Sequence, residues 1–505
     1  MKDRIIEIGK DSIWYLSSNA AYALIGFIAL PILTRIFNPH DYGIFTLVNT
    51  AIIMGSTVFY GYLTTSIIRF YPEYEIRDEL DVFYSTSLHY TPHFLALFLA
   101  ILLPVAAFVL PLGKYRLLIC LAIVTLALFT LFNVILAIYR ARQKAWQFAV
   151  FTIIMQTCRY LLGAGLAVWL KAGVAGPFWG WMGALLILVP VELIALRIWK
   201  DLRWKKNSRD LQRELFKFGL AMVFVRVLSE VLASADRYMI QGFKGAYQVG
   251  LYSVVYNLVS SIEGMIVIFL SLAAMPVIMK VYEREGEENA RALIKSITRY
   301  FLILLVPMIL GIWVIRDPLV GVITTQKYMP ATSAFLPLLT GIFFGNIAWL
   351  PLLAFLINKN TKMMLYPLAS AAVVNILLNL VLIPRYGFQG AAWATFIAYL
   401  IYFAISTVMG TRAFRWDFPW IGAVKVFLAT GVMGASLFGL EKLHMHGWQG
   451  LVALIAAAIV IYFVTFLALK GFSTAEIAYA LDLAGRVPAV GGMVTALRER
   501  WRRQG

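Results

Sequence analysis

Apolar runs of 18 or more residues recur from one end of the chain to the other, and short polar segments between them carry most of the charge. About 20 residues of helix cross the hydrocarbon core of a bilayer, so runs of this length predict spanning helices. The short alternating strands of a membrane barrel are missing from the pattern. The runs place spans at 13–36, 42–67, 88–110, 117–139, 148–170, 176–197, 216–235, 249–278, 293–315, 333–357, 363–383, 388–410, 420–440 and 448–469. The expected fold class is an all-α integral membrane protein of about 14 transmembrane helices. An even count puts both termini on one side.

Composition sharpens this picture. Of 505 residues 61% are apolar and 14% charged, whereas a soluble domain is roughly half apolar and a quarter charged. The net charge of +18 does not point to nucleic acid, because the basic residues lie between apolar runs and form no single patch with interleaved aromatics. They read as topology signals. With the N-terminus in the cytoplasm, the segments and span ends on that side hold 31 of the 44 Lys and Arg, the opposite side 10, and three (Arg159, Arg226, Lys425) fall inside spans. Such a bias supports that orientation. The two cysteines, Cys120 and Cys158, both sit in apolar runs, which predicts packing and not a disulfide or thiolate metal site. The start, MKDRIIEIGKDS, leads into a full-length span without a cleavage site, so insertion is expected to rest on the first span.

The chain also repeats itself. LAVWLKAGVAGPFWG (166–180) and LVLIPRYGFQGAAWA (380–394) match without gaps at Leu166/Leu380, Gly173/Gly387, Gly176/Gly390 and Trp179/Trp393. YGIFTLVNT (42–50) and VGLYSVVYN (249–257) form a second pair at a similar offset. Both copies begin on the same side after six spans, which predicts two parallel six-helix lobes with a substrate path between them. The expected organisation is an N-lobe at 1–206, a C-lobe at 207–418, two further helices at 419–470 and an amphipathic basic tail at 471–505. The basic connection 197–217 joins the lobes. The tail opens with a capping-box spacing at Ser473 and Glu476, and Arg498, Arg500, Arg502 and Arg503 are expected to hold it on the inner leaflet.

LPILTRIFNPHDYGIFTLVNT (30–50), ADRYMIQGFKGAYQVGLYSVVYN (235–257) and IPRYGFQGAAWATFIAYL (383–400) resemble the polysaccharide-biosynthesis exporters, the Wzx-type flippases of the multidrug/oligosaccharidyl-lipid/polysaccharide (MOP) superfamily. The resemblance runs from about residue 10 to 410. It implies a V-shaped, two-lobed bundle that opens alternately to each side and carries undecaprenyl-diphosphate-linked oligosaccharide units to the outer leaflet. It further implies a bacterial or archaeal plasma membrane, membrane lipids as surroundings, and polysaccharide polymerase and glycosyltransferases as partners. The MurJ-type lipid II flippases of the same superfamily share the count of fourteen helices.

A charge at mid-bilayer costs about 2.5–3.5 kcal/mol on insertion scales, so ionisable residues inside spans face protein or a water-filled cavity. Arg159 and Arg226 lie near the centres of the fifth and seventh spans, and a planar, permanently charged guanidinium suits a diphosphate headgroup. Glu230 is one turn beyond Arg226, so an internal ion pair and a cavity-lining role both stay open for that pair. Glu263, in the eighth span, and Glu230 are the candidates for coupling to a cation, Na+ or H+. Arg35, Asp236 and Arg237 fall at outer span ends, where snorkelling makes charge cheap, and read as gate or anchor residues. Asparagines at 19, 49, 133, 257, 346, 375 and 379 and Gln156 read as interhelical glue or sugar contacts. His89 and His93 share a helix face without a third ligand, which predicts an interfacial pair and no metal. The chain carries no P-loop signature, no cofactor motif and no long outer loop for catalytic groups. The resemblance thus implies a flippase, and the short outer loops argue against an enzyme. The alternatives are an ion-coupled multidrug exporter, which should concentrate carboxylates in its cleft, and a polyprenyl-dependent glycosyltransferase or polymerase.

Overall fold

The computed structural model describes residues 2–89, 91–109, 113–198, 206–358, 360–441, 447–474 and 476–478. All the regular structure among them is helical: α1 (Lys2–Ile36), α2 (Pro39–Ile76), α3 (Leu80–Leu88), α4 (Thr91–Pro104), α5 (Arg116–Ala141), α6 (Ala145–Trp169), α7 (Gly176–Leu196), α8 (Arg209–Lys244), α9 (Ala246–Glu285), α10 (Glu287–Val314), α11 (Arg316–Ile323), α12 (Phe335–Ile347), α13 (Trp349–Ile357), α14 (Leu365–Ala413), α15 (Trp420–Glu441) and α16 (Gly447–Ala468). Twelve helical stretches among the described residues are long and apolar enough to cross a membrane. One of these, Lys362–Ala413, holds two of the expected spans, and α1 supplies the first through its shorter apolar stretch Ala20–Ile36. The expected traverses are thus all represented by helix. The basic residues 199–205 and the tail arginines Arg498, Arg500, Arg502 and Arg503 lie outside the described residues.

Local chemistry sets where the helices start and break. Asn38 caps α2 by accepting the Asp41 N–H, with Pro39 at the first helical position where a missing N–H costs nothing. Ser208 caps α8 through Leu211 N–H. The long α14 is broken at Gly387, whose φ of 60° and ψ of −139° lie outside helical space. The Phe388 N–H that the break leaves without a helical partner donates to Gln248 Oε1 at 3.0 Å. Gly173, its counterpart in the repeat, also has a positive φ, 53°. Glycine therefore recurs at 173 and 387 because the chain turns through left-handed space at both.

The second repeat pair meets face to face. A Cβ on Gly43 would run into the Ala246 carbonyl, and a Cβ on Gly250 into the Pro39 carbonyl, so α2 and α9 approach each other reciprocally. At the same crossing Thr46 donates to Ser253, its own counterpart, at 3.3 Å. Residues that correspond in sequence thus touch about a local pseudo-twofold. Gly341 and Gly345 play a packing role, seating α12 against Phe396 and Tyr399 of α14.

Two compact units emerge, Met1–Ile294 with Val320–Trp416, and Lys295–Leu319 with Asp417–Gly505. The first contains α2 packed on α5, α8 and α9, and α14 packed on α8 and α12. The second pairs α15 with α16, and Tyr462 of α16 donates to the Ile303 carbonyl of α10 at 2.9 Å.

Candidate functional site

Inside the first unit two adjoining cavities share Tyr22 and Ile53 as walls. The smaller, about 180 Å³, is bounded by α1, α2, α6 and α9 and is lined by Arg159 with Asn49, Gln156, Asn257 and two serines, Ser260 and Ser261. The larger, about 330 Å³, is lined by Arg226 of α8 and Arg140 of α5 with Asn133 and hydroxyls of α2. The smaller takes Tyr42, Phe45, Thr46 and Asn49 from one copy of the 42–50/249–257 repeat and Asn257 from the other, whereas Arg226 is the one lining residue of the larger that comes from beyond residue 206. Neither has an Asp or Glu among its lining residues.

The three arginines differ in how they are held. Arg159 is 2% exposed, and its guanidinium lies 3.7 Å from the ring centroid of Trp181, which α7 supplies. That aromatic plate, with Tyr160 at 5.0 Å, offers a desolvated cation a compensating attraction. Nη1 is 3.4 Å from Gln156 Oε1, while Nε and Nη2 find no partner. A buried guanidinium with two unused donors at a cavity wall is set to receive an acceptor. Arg226 is exposed to its cavity, and no ion pair joins it to Glu230 among those of the described residues. Arg140 stacks on Phe148 at 4.4 Å and lines the same cavity as Arg226.

The other expected residues lie elsewhere. Glu230 is half-buried. Glu263 is fully buried, accepts from Asn346 of α12 at 3.0 Å and lines neither cavity. Arg35 donates to the Val322 and Ile323 carbonyls at 2.8 and 3.2 Å, tying α1 to the end of α11. Asp236 does not snorkel. It is fully buried, and Tyr252 and Thr395 donate to its Oδ2, the latter at 2.8 Å. Arg237 is 5% exposed, lies 4.6 Å over Tyr256 and donates to Asn257, which in turn donates to Tyr42 of α2. These two residues are pinned because α9 and α14 bring hydroxyls and rings over the end of α8. His89 and His93 are adjacent, ring centroids 5.9 Å apart, and no group of three or more His, Cys, Asp or Glu among the described residues is placed to hold a metal. Side chains of Asn375 and Asn379 bond each other one turn apart within α14, a bond inside one helix and not between helices.

Sequence reasoning missed Arg140, which reads as one more charge of a basic loop, and Trp181, whose pairing with Arg159 exists only in the tertiary fold. It also passed over Glu192 of α7, fully buried with neither carboxyl oxygen partnered.

Twelve helical stretches long and apolar enough to cross a bilayer among the described residues, with arginines in the lining of two cavities, define a multi-pass membrane protein. The chain belongs to the polysaccharide biosynthesis protein family, whose model matches residues 8–282, and the model of the lipid II flippase MurJ matches residues 184–458. It is a Wzx-type flippase of the MOP exporter superfamily. Solved structures of similar fold include the lipid II flippase MurJ in an inward closed conformation, at TM-score 0.72 and 15% identity over 90% of this chain and 98% of that one. An inward-facing multidrug resistance MATE transporter of the superfamily has TM-score 0.61 and 14% identity over 77% and 94%. A MOP superfamily transporter from Pyrococcus furiosus, described as having a binding pocket of reverse polarity, has TM-score 0.56 and 14% identity over 81% and 95%. At these identities the likeness is one of fold. No curated protein matches the chain in sequence.

Proposed function

We propose that this flippase carries undecaprenyl-diphosphate-linked oligosaccharide units from the inner to the outer leaflet of a bacterial or archaeal plasma membrane, by alternating access of its cationic central cavity. The observation that carries this reading is the exposure of Arg226 and Arg140 to one cavity with no acidic residue in its lining, beside a second cavity walled by Arg159. Like charges sharing a cavity without counter-ions are costly in a low-dielectric interior, and a bound diphosphate would relieve that cost at Arg226 and Arg140. A cleft for cationic drugs would instead present carboxylates.

In this reading residues 1–206 and 207–418 are the two lobes, residues 419–470 add two helices, and both termini face the cytoplasm. The polyprenyl tail stays in lipid while the headgroup crosses between the lobes. Arg35, Asp236 and Arg237 belong to the gate at the outer end. An inside-negative potential favours outward movement of an anion by about 2.3 kcal/mol per charge per 100 mV. Glu230 and Glu263 are the carboxylates to test for coupling to Na+ or H+ during the return of the empty cavity. Glycosyltransferases would supply the cargo and a polymerase consume it.

The test is reconstitution of the purified chain in liposomes with a panel of polyprenyl-diphosphate glycans and, separately, cationic dyes. The reading expects transfer of the diphosphate lipids and none of the dyes. Dye transport without glycolipid transfer would overturn it.

A further inference from the structure

The second unit contains a cavity of about 520 Å³ where the start of α15 and the end of α16 meet the side of α10. Lys295 and Arg299 come from one face of α10, Lys425 from the second turn of α15, and Lys470 from just beyond α16. Arg299 is neutralised: Glu476 accepts from it through both oxygens, at 3.0 and 2.9 Å. None of the three lysines forms an ion pair among those of the described residues.

The walls are fixed before anything binds. Arg299 also donates to the Gly471 carbonyl at 2.7 Å, and Lys425 donates to the Lys470 carbonyl at 2.8 Å, which holds its ammonium at the cavity with two further donors to offer. Trp420 and Ile421, at the start of α15, are 72% and 78% exposed. Their position between a cluster of cations and an apolar helix is that of residues at a membrane–water boundary.

We propose that this cavity binds the phosphate-bearing headgroup of an anionic membrane phospholipid, with its acyl chains running out past Trp420 and Ile421. Three features favour a lipid over a free anion: an excess of positive charge, a volume larger than one inorganic phosphate needs, and an apolar lip at the interface. Basic pockets between spanning helices are suited to such headgroups. The site is separate from the cargo reading, since Arg159 and Arg226 belong to the first unit.

The experiment is native mass spectrometry of the purified full-length chain with added phosphatidylglycerol or phosphatidylcholine. The wild type should retain phosphatidylglycerol and not phosphatidylcholine, and millimolar inorganic phosphate should not displace it. A Lys425→Ala/Lys470→Ala variant should lose retention on the order of 30-fold. Lys425→Arg/Lys470→Arg should keep it. If the double alanine variant does not fold, Lys295→Ala, an exposed position, is read in its place, with a loss of roughly fivefold. Equal retention of both lipids, equal retention by variant and wild type, or displacement by phosphate would each overturn the proposal.

Discussion

Arg159 and Arg226 are both mid-span arginines, yet the fold treats them oppositely. Arg226 faces open space, whereas Arg159 is roofed by Trp181 and keeps two unsatisfied donors. Removing the roof should matter almost as much as removing the charge: Trp181→Leu should weaken cargo binding by about 1–2 kcal/mol, roughly the worth of a desolvated cation–π contact. Arg226→Gln should lower flipping at least about tenfold with folding intact, as expected for loss of a charge-assisted contact. Glycolipid transfer in liposomes checks both. Glu476 gives a pH signature. Burial works to raise its carboxyl, but hydrogen bonds from Arg299, Tyr300 and Ser473 outweigh it and hold the group down at about 2, from an ordinary 4.5. A depressed carboxylate contributes stability that is complete above its unfolded value and is lost as pH falls from about 4.5 toward 2. Thermal melts at stepped pH should show Glu476→Gln less stable than wild type by about 1–2 kcal/mol at pH 7, with the gap closing below pH 4. The arginines were legible because a charge inside an apolar run stands out. Arg140 was hidden among topology charges, and Asp236 was misread as a snorkelling end because its cover comes from α9 and α14, far away in sequence.

At the scale of elements, period and length sufficed to place the spans, but their irregularities needed the fold. The break of α14 at Gly387 was legible as a loop between spans. The way α9 satisfies it through Gln248 was not, because that side chain is 139 residues upstream. The repeat pair at 43 and 250 was legible as similarity. Its physical cause, a reciprocal backbone approach of α2 and α9, appears only in three dimensions. The capping box at Ser473 and Glu476 forms as its spacing predicts, with Ser473 N–H donating to Glu476 at 2.7 Å, but Arg299 as its third member could not be read locally. Gly250→Val should force α2 and α9 apart and cost about 1–3 kcal/mol, visible as a lower melting temperature in detergent. Gly264→Ala, where a Cβ meets nothing within 4 Å, should not lower it.

For the whole molecule, family and fold were legible from hydropathy, the repeat and the turn motifs, whereas the cavities are a property of the assembled helices. In the proposed cycle, water and an anionic headgroup enter the space lined by Arg226, Arg140 and Arg159. Single cysteines at Thr64, lining the larger cavity, and at Ser260, lining the smaller, in a background with Cys120 and Cys158 replaced, test it directly with a membrane-impermeant thiol reagent. Labelling is expected at both positions, with protection by a polyprenyl-diphosphate glycan that is lost in Arg226→Gln. Absence of labelling in folded protein, or labelling that the glycolipid never protects, would contradict it.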